Sequence, residues 1–264
     1  MSKPLVTVIS TNHLAENFNY LDWSLKSILS SVDVDFEVLC FSSAKECPEV
    51  DSKITLIHDP VKYSSCSAKF NAGVKMAHPN SKYICMVADD VMISKYLLME
   101  LSGVLEGNEL IIGPASNCDS TTRYHTTYFL GSQEKHIRIG QKSSLEDIQG
   151  FEQNVIDHPR ERRVLIDPGW ISFYCTMMSK KVIDKVGLLD ERMDVRWNDY
   201  QYCERARKLG IPSMIDLGTF ALHFGDKTLP KCVTKEQYDQ ADKAFGEWIG
   251  RQSISTPEDH GDTL

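Results

Sequence analysis

Apolar residues recur through the first half of the chain in short β-rich runs, separated by stretches of helical spacing. Leu5–Ser10, Phe36–Phe41, Lys53–His58, Tyr83–Val87 and Leu110–Gly113 read as strands. Between them, Asn19–Ser30 sets Leu21, Leu25, Ile28 and Leu29 at helical intervals. Cys66–Ala77 puts Ala68, Ala72 and Met76 on one side of a helix, and Lys95–Leu105 reads as a further helix. Tyr83–Val87 is apolar almost throughout, as expected of a strand covered on both faces. The alternation predicts an α/β fold with a mostly parallel central sheet and helices on both faces.

From Cys118 to Pro168 the pattern dissolves. Ser120–Tyr128 is polar and aromatic, Gln133–Gly150 is charged, and a short helix is expected near Leu145–Asn154. Long stretches of this kind are usually functional or disordered, and Tyr124–Gly150, with Tyr124, His125, Tyr128 and Phe129, is expected to bind a substrate, the acceptor under the resemblance described below. Order returns with a β-rich run at Gly169–Met178 and a helix at Lys180–Val186. Strands follow at Ser213–Asp216 and Thr219–Phe224. Lys235–Arg251 is an amphipathic helix with Tyr238, Ala241, Phe245, Trp248 and Ile249 as its apolar set. Residues 1–252 are read as one domain, with halves at 1–117 and 169–252 around the 118–168 excursion. Ser253–Leu264 has no apolar pattern and is expected to be disordered.

Asn198–Leu209 carries the clearest helix signals in the second half. Asn198 reads as N-cap and Gln201 completes a capping-box pattern. Tyr202, Cys203, Ala206 and Leu209 fall on one face, and Gly210 and Pro212 end the helix. Asp199 then sits in the first turn. Two roles are open there: complementing the helix dipole, or acting as a general base aimed into a cleft.

Composition narrows the classes. The chain has 264 residues, 42% hydrophobic and 25% charged, and a formal net charge of −8. That charge supplies no basic field for nucleic acid or an anionic membrane. Eight cysteines stand at 40, 47, 66, 85, 118, 175, 203 and 232 with no CxxC pair, which argues against a zinc ribbon or a thioredoxin-type site. Cys40, Cys85 and Cys175 lie in apolar runs, where a thiol behaves as a small hydrophobe. The apolar run at Leu5–Ile9 is too short for a signal peptide, and no segment reaches the roughly 18 apolar residues of a membrane span. The expectation is a reducing, cytoplasmic compartment and no membrane segment of its own.

Ligands of open α/β sheets bind at the carboxyl ends of strands, which here are Thr11-Asn12, Ser42, Asp59 and Asp89-Asp90. Two acids at a strand end suit Mg²⁺, which is held by one or two carboxylates together with substrate phosphates. Lys69 and Asn71, near a helix start, suit a phosphate. His223, between Leu222 and Phe224, is either a packed histidine or a ligand.

Several segments carry a resemblance. They are Val6-Thr-Val-Ile-Ser-Thr11, Ala68-Lys-Phe-Asn-Ala-Gly73, and Tyr83-Ile-Cys-Met-Val-Ala-Asp-Asp-Val91. With them go Gly187-Leu-Leu-Asp-Glu191 through Asn198-Asp-Tyr-Gln-Tyr-Cys-Glu-Arg205, and His223-Phe-Gly225. Together they resemble a family 2 glycosyltransferase of the GT-A fold. The resemblance implies a Rossmann-like nucleotide-binding half and an acceptor-binding half. It implies inverting transfer from a nucleotide-diphosphate sugar, UDP- or GDP-linked, to a hydroxyl of a glycan, a lipid-linked sugar or another acceptor. The net charge disfavours nucleic acid as that acceptor.

Carried over residue by residue, the resemblance makes Asp199 the base and places Mn²⁺ or Mg²⁺ on Asp90 and His223. It assigns Thr11, Asn12, Ser42, Asp59, Lys69, Asn71, Asp89 and Trp170 to the donor. The chain departs from the family pattern at Ala88, in place of the first acid of Asp-x-Asp, and at Ser42, in place of a base-reading aspartate. Phe70 replaces a frequent arginine, Asn198 a glutamate, and Gln201 a second acid. Two rival expectations are an inactive nucleotide-sugar-binding module and a nucleotidyltransferase. A glycoside hydrolase would need two flanking carboxylates, and that pattern is not visible.

Overall fold

The computed structural model describes residues 5–14, 17–63, 65–116, 165–224 and 233–254. The expected helix near Leu145–Asn154 and the acceptor stretch Tyr124–Gly150 lie outside them. So do residues 255–264, most of the expected tail.

One nine-stranded mixed sheet runs through the described residues. Its strands are β1 (Leu5–Asn12), β2 (Asp35–Ser42), β3 (Ile54–His58), β4 (Ser81–Ala88), β5 (Val91–Ile93), β6 (Ile111–Ser116), β7 (Leu165–Ile166), β8 (Cys175–Ser179) and β9 (Ser213–His223). The order is β3-β2-β1-β4-β8-β6-β9-β5, with β7 on β9. The first four strands are parallel neighbours, and β6 runs parallel to β9. The ladders β4–β8, β6–β8, β5–β9 and β7–β9 are antiparallel, and together they pair fewer residues. The sheet is therefore mostly parallel by length of pairing.

The helices are α1 (Phe18–Leu29), α2 (Cys66–Met76), α3 (Leu97–Leu105), α4 (Lys180–Val186), α5 (Asn198–Lys208) and α6 (Lys235–Ile254). Strand side chains alternate between two faces. Val6, Val8, Cys85 and Val87 join Leu21, Leu25 and Ile28 of α1 and Leu97 and Leu101 of α3 in one core. Ile9, Ile84 and Met86 join Phe70 of α2, Val182 and Ile183 of α4, and Tyr202 and Ala206 of α5 in the other. Helices thus cover both faces, as the alternation predicts. Among the described residues no helix is long and apolar enough to cross a membrane.

Gly73 lets α2 come down onto β1: a Cβ there would sit 2.6 Å from Cδ1 and 2.7 Å from Cγ1 of Ile9. The buried face of α2 is Ser67, Lys69, Phe70, Asn71 and Gly73, while Met76 is 47% exposed. The expected stripe of Ala68, Ala72 and Met76 is therefore not the buried one. Polar residues turn inward here because that face meets strand ends and the loop before α5, not only apolar strand middles.

Other expectations need correction. Of the run Gly169–Met178, only Cys175 onward is strand; Ile171 and Phe173 bury themselves in the α5-side core. The two strands expected over 213–224 are one strand, β9, whose register against β6 shifts between Pro114 and Ala115. Asp216 absorbs the irregularity by accepting from Gly218 N and Thr219 Oγ1. Leu165–Ile166 pairs with β9, so the irregular excursion ends before Pro168. Val91–Ile93 is a short strand that its length conceals from periodicity. Leu209 is 55% exposed and Ile249 47% exposed, because helix ends pass beyond the core that buries Tyr202, Cys203, Ala206 and Ala241. Ser253 and Ile254 extend α6.

Candidate active site

The parallel register of β1, β2, β3 and β4 brings their carboxyl ends to one edge, with Thr11-Asn12, Ser42, Asp59 and Asp89-Asp90 on it. Asn12 is the hub. Its Nδ2 donates to Asp89 Oδ2 at 2.8 Å, and its Oδ1 accepts from Ser42 Oγ at 3.0 Å. Thr11, Asn12, Ser42 and Asp89 are all buried. Asp59 is partly exposed and caps the turn after β3, accepting from Val61 N and Lys62 N. The Lys62 amide leads the effects that hold its carboxyl below the usual range.

Lys69 reaches the same edge from α2. Its Nζ donates to Asn12 O at 2.7 Å and to Ser43 Oγ at 2.8 Å, and it is fully buried. Asn71, two residues further along α2, does something different. Its Nδ2 donates to Leu189 O at 3.0 Å and its Oδ1 accepts from Leu189 N at 3.0 Å, so the amide pairs with Leu189 as a strand neighbour would. Glu191 Oε1 takes the same Nδ2 at 2.9 Å.

Asp90 and His223 are brought together by the β5–β9 ladder, in which Val91 faces His223. Asp90 Oδ1 lies 3.3 Å from His223 Nε2, and Asp90 O accepts from Phe224 N. The imidazole stacks on Tyr174, centroids 4.9 Å apart at 11°. Tyr174 O also accepts from Ala88 N, at the end of β4. No local pattern in the sequence marks Tyr174; only the β4–β8 pairing puts it there. Among the described residues no group of three or more His, Cys, Asp or Glu gathers as a metal site. Asp90 and His223 offer one oxygen and one nitrogen donor, a set suited to Mn²⁺ or Mg²⁺ when other ligands come from substrate and water.

Asp199 stands in the first turn of α5, partly buried, with Oδ1 accepting from Tyr200 N at 2.7 Å. The helix does not start as the sequence predicts. The N-cap is Trp197, left-handed at φ 71°, with no side-chain cap, and Gln201 N bonds to Trp197 O. Asn198 is the first helical residue, its Oδ1 on Asp199 N at 2.8 Å. Gln201 Oε1 accepts from Arg205 instead of reaching back. The capping box fails because α6 fixes Trp197. The indole stacks on Phe245, centroids 4.5 Å apart at 8°, and Nε1 donates to Asp242 at 2.8 Å. Arg196 also pairs with Asp242.

The rest of the Gly187–Arg205 block is held by Arg205. Its guanidinium donates to Val186 O at 2.9 Å and to Leu188 O at 2.7 Å. Gly187 stands at φ 87°, and a Cβ added there would meet Arg205 Nη1 at 3.6 Å. Trp170 meets Tyr200 edge-on, centroids 5.7 Å apart. Residues 170–174 thus touch α5 at one end, through Trp170, and His223 at the other, through Tyr174.

The starts of α2 and α5 meet at Asp194. Asp194 Oδ1 accepts from Ser67 N at 3.1 Å, and Asn198 Nδ2 donates to Ser67 Oγ at 3.2 Å and to Asp194 O at 3.4 Å. Burial pushes the Asp194 carboxyl up, against the pull of the Ser67 N–H, the Ser65 side chain and the Lys69 charge. The geometry joins a buried polar strand-end network, a carboxylate–imidazole pair and a first-turn carboxylate around one sheet edge. The chain matches no model of a known protein family, and no curated protein is returned as similar to it.

Proposed function

We propose that the protein is a GT-A-type inverting glycosyltransferase, moving a sugar from a nucleotide-diphosphate sugar to an acceptor hydroxyl. The observation that carries this reading is the approach of Asp90 and His223 to 3.3 Å, two residues the sequence resemblance names as partners on a metal. The nucleotide lies over the carboxyl ends of β1, β2 and β4, where ligands of open α/β sheets bind. Asn12, Ser42 and Asp89 order that edge.

Asp199 takes the proton of the acceptor hydroxyl as its oxygen bonds to the anomeric carbon and the diphosphate departs from the opposite face. The Tyr200 N–H on Oδ1 holds the carboxylate in one orientation for that transfer. Asp90 and His223 would hold a divalent cation, which when bound would supply positive charge for the leaving diphosphate.

A panel of UDP- and GDP-sugars, read by release of nucleotide diphosphate, tests the reading. Turnover with at least one donor is expected. Asp199→Asn should lower that rate by about 10²–10⁴, the usual worth of a positioned base, with nucleotide affinity within a few-fold. Nucleotide binding without turnover of any donor would leave a binding module. Release of pyrophosphate from a nucleoside triphosphate and a sugar phosphate would make it a nucleotidyltransferase.

A further inference from the structure

At the start of α2, beside the donor residue Lys69, stand Cys66 and His13, side chains that the transfer reaction leaves unused. Cys66 is the first residue of α2, partly buried and not in a disulfide, and its Sγ lies 3.0 Å from His13 Nε2. The Lys69 ammonium sits against the same ring, 2.9 Å from Nδ1 and 3.1 Å from Nε2, anchored by Asn12 O and Ser43 Oγ. Burial first, and then the Lys69 charge, push His13 down to about 3, so its ring is neutral at neutral pH. The fixed positive charge near the sulfur is therefore that of Lys69. The opposing charge is Asp194, whose carboxylate occupies the Ser67 N–H at the same helix end.

Thiolates are favoured beside lysines and at helix N-termini. In Cys40 and Cys203 burial dominates and pushes both thiols up to about 12, in Cys40 despite the charge of Lys69. Cys47 is exposed.

We infer that Cys66 is a reactive thiolate that forms mixed disulfides with low-molecular-weight disulfides. The site stands beside the carboxyl ends of β1 and β2, so the adduct would lie against the strand-end network. In the exchange the Cys66 sulfur attacks one sulfur of the disulfide and a new S–S bond forms. The original S–S bond breaks, and the departing thiolate takes a proton from water. The proton that Cys66 gives up goes to solvent, since the imidazole beside Lys69 stays neutral. The disulfide itself is the oxidant consumed.

The test does not depend on the transfer activity. The whole protein is incubated with glutathione disulfide and mapped by peptide mass spectrometry. In parallel, iodoacetamide alkylation of Cys66 and Cys47 is followed against pH. The mixed disulfide is expected at Cys66, with an alkylation midpoint below the ~8.5 of an ordinary thiol. At pH 7, Cys66 should react at least about tenfold faster than Cys47. Lys69→Met should slow Cys66 about tenfold without changing Cys47, and Asp194→Asn should speed it. If Lys69→Met does not fold, the wild-type profile and Asp194→Asn decide the matter. A Cys66 midpoint at or above that of Cys47, or adducts that avoid Cys66, would overturn the inference.

Discussion

The starts of α2 and α5 lie against each other, yet they are made in opposite ways. At α2 the signals are local: Ser65 caps the helix by accepting from Ala68 N at 2.9 Å. At α5 the N-cap is a tryptophan in a left-handed conformation, with no side-chain cap. A non-glycine residue there costs on the order of 1–2 kcal/mol. What holds it is remote in sequence, the Phe245 ring and the Asp242 carboxylate of α6. One start is written within four residues, and the other depends on a helix some fifty residues downstream.

This contrast sets an order of expected effects. The largest is acid sensitivity at the α2 start. His13 is held down to about 3, against about 6.5 in an unfolded chain. Below pH 6.5 the unfolded chain therefore binds a proton that the folded chain refuses. The stability tied to this ring is fully present above pH 6.5 and falls as pH drops toward 3. The slope is about 1.4 kcal/mol per pH unit. Denaturant unfolding of wild type and His13→Asn between pH 6.5 and 5 measures it. Equal slopes in the two proteins would show that the ring protonates freely in the fold.

Next comes Phe245→Ala. It removes the ring stacked on Trp197 and also in contact with Tyr200 and Trp248. A loss of about 2 kcal/mol is expected for a partly buried aromatic at the centre of several ring pairs. Hydrogen exchange should quicken at the amides of Tyr200 and Gln201 while those of Ala68 and Lys69 stay protected. Uniform quickening at both helix starts would mean that α6 supports the whole domain rather than α5.

Ser65→Ala is the converse, with a cost of about 1 kcal/mol, the ordinary worth of a cap. Exchange should then quicken at Ala68 and leave α5 alone. Smallest of all should be Glu109→Gln. Glu109 is held down to about 2, first by its bond to Lys181 and then by that to Lys185. It lies at the surface, where such pairs contribute little. Its melting temperature should match wild type within about 1 °C.

The same contrast governs what the sequence discloses. β4 is legible because both its faces are buried and every residue from Tyr83 to Val87 must be apolar. The extent of α5 is legible from its apolar face and Gly210, at φ 73°. Its cap is not, since Asn198 is as good an N-cap as Trp197 is a poor one, and the deciding ring lies on α6. The buried side of α2 misleads for a related reason. Lys69 and Asn71 fall outside the apolar stripe the spacing selects, and only β1 and Leu189 supply the partners that bury them. Asp90 and His223 carry no shared periodicity, so only the resemblance couples them before the β5–β9 ladder does. Tyr174, His13 and Cys66 gain meaning only from neighbours on other elements.

The hold of α6 on Trp197 also bears on the order of events as the chain is made. Domains are synthesised from the N-terminus at roughly 5–20 residues per second. The parallel strands, α2 and the sequence of α5 all leave the ribosome before Phe245 exists. Until that ring arrives, nothing described in the structure holds Trp197 left-handed, and the first turn of α5 is free to begin at Asn198 or elsewhere. Asp199 therefore takes its final direction only when α6 docks. A nascent chain stalled short of α6 would lack that hold and keep only the bonds of Asn198 to Ser67 and Asp194 on the first turn of α5.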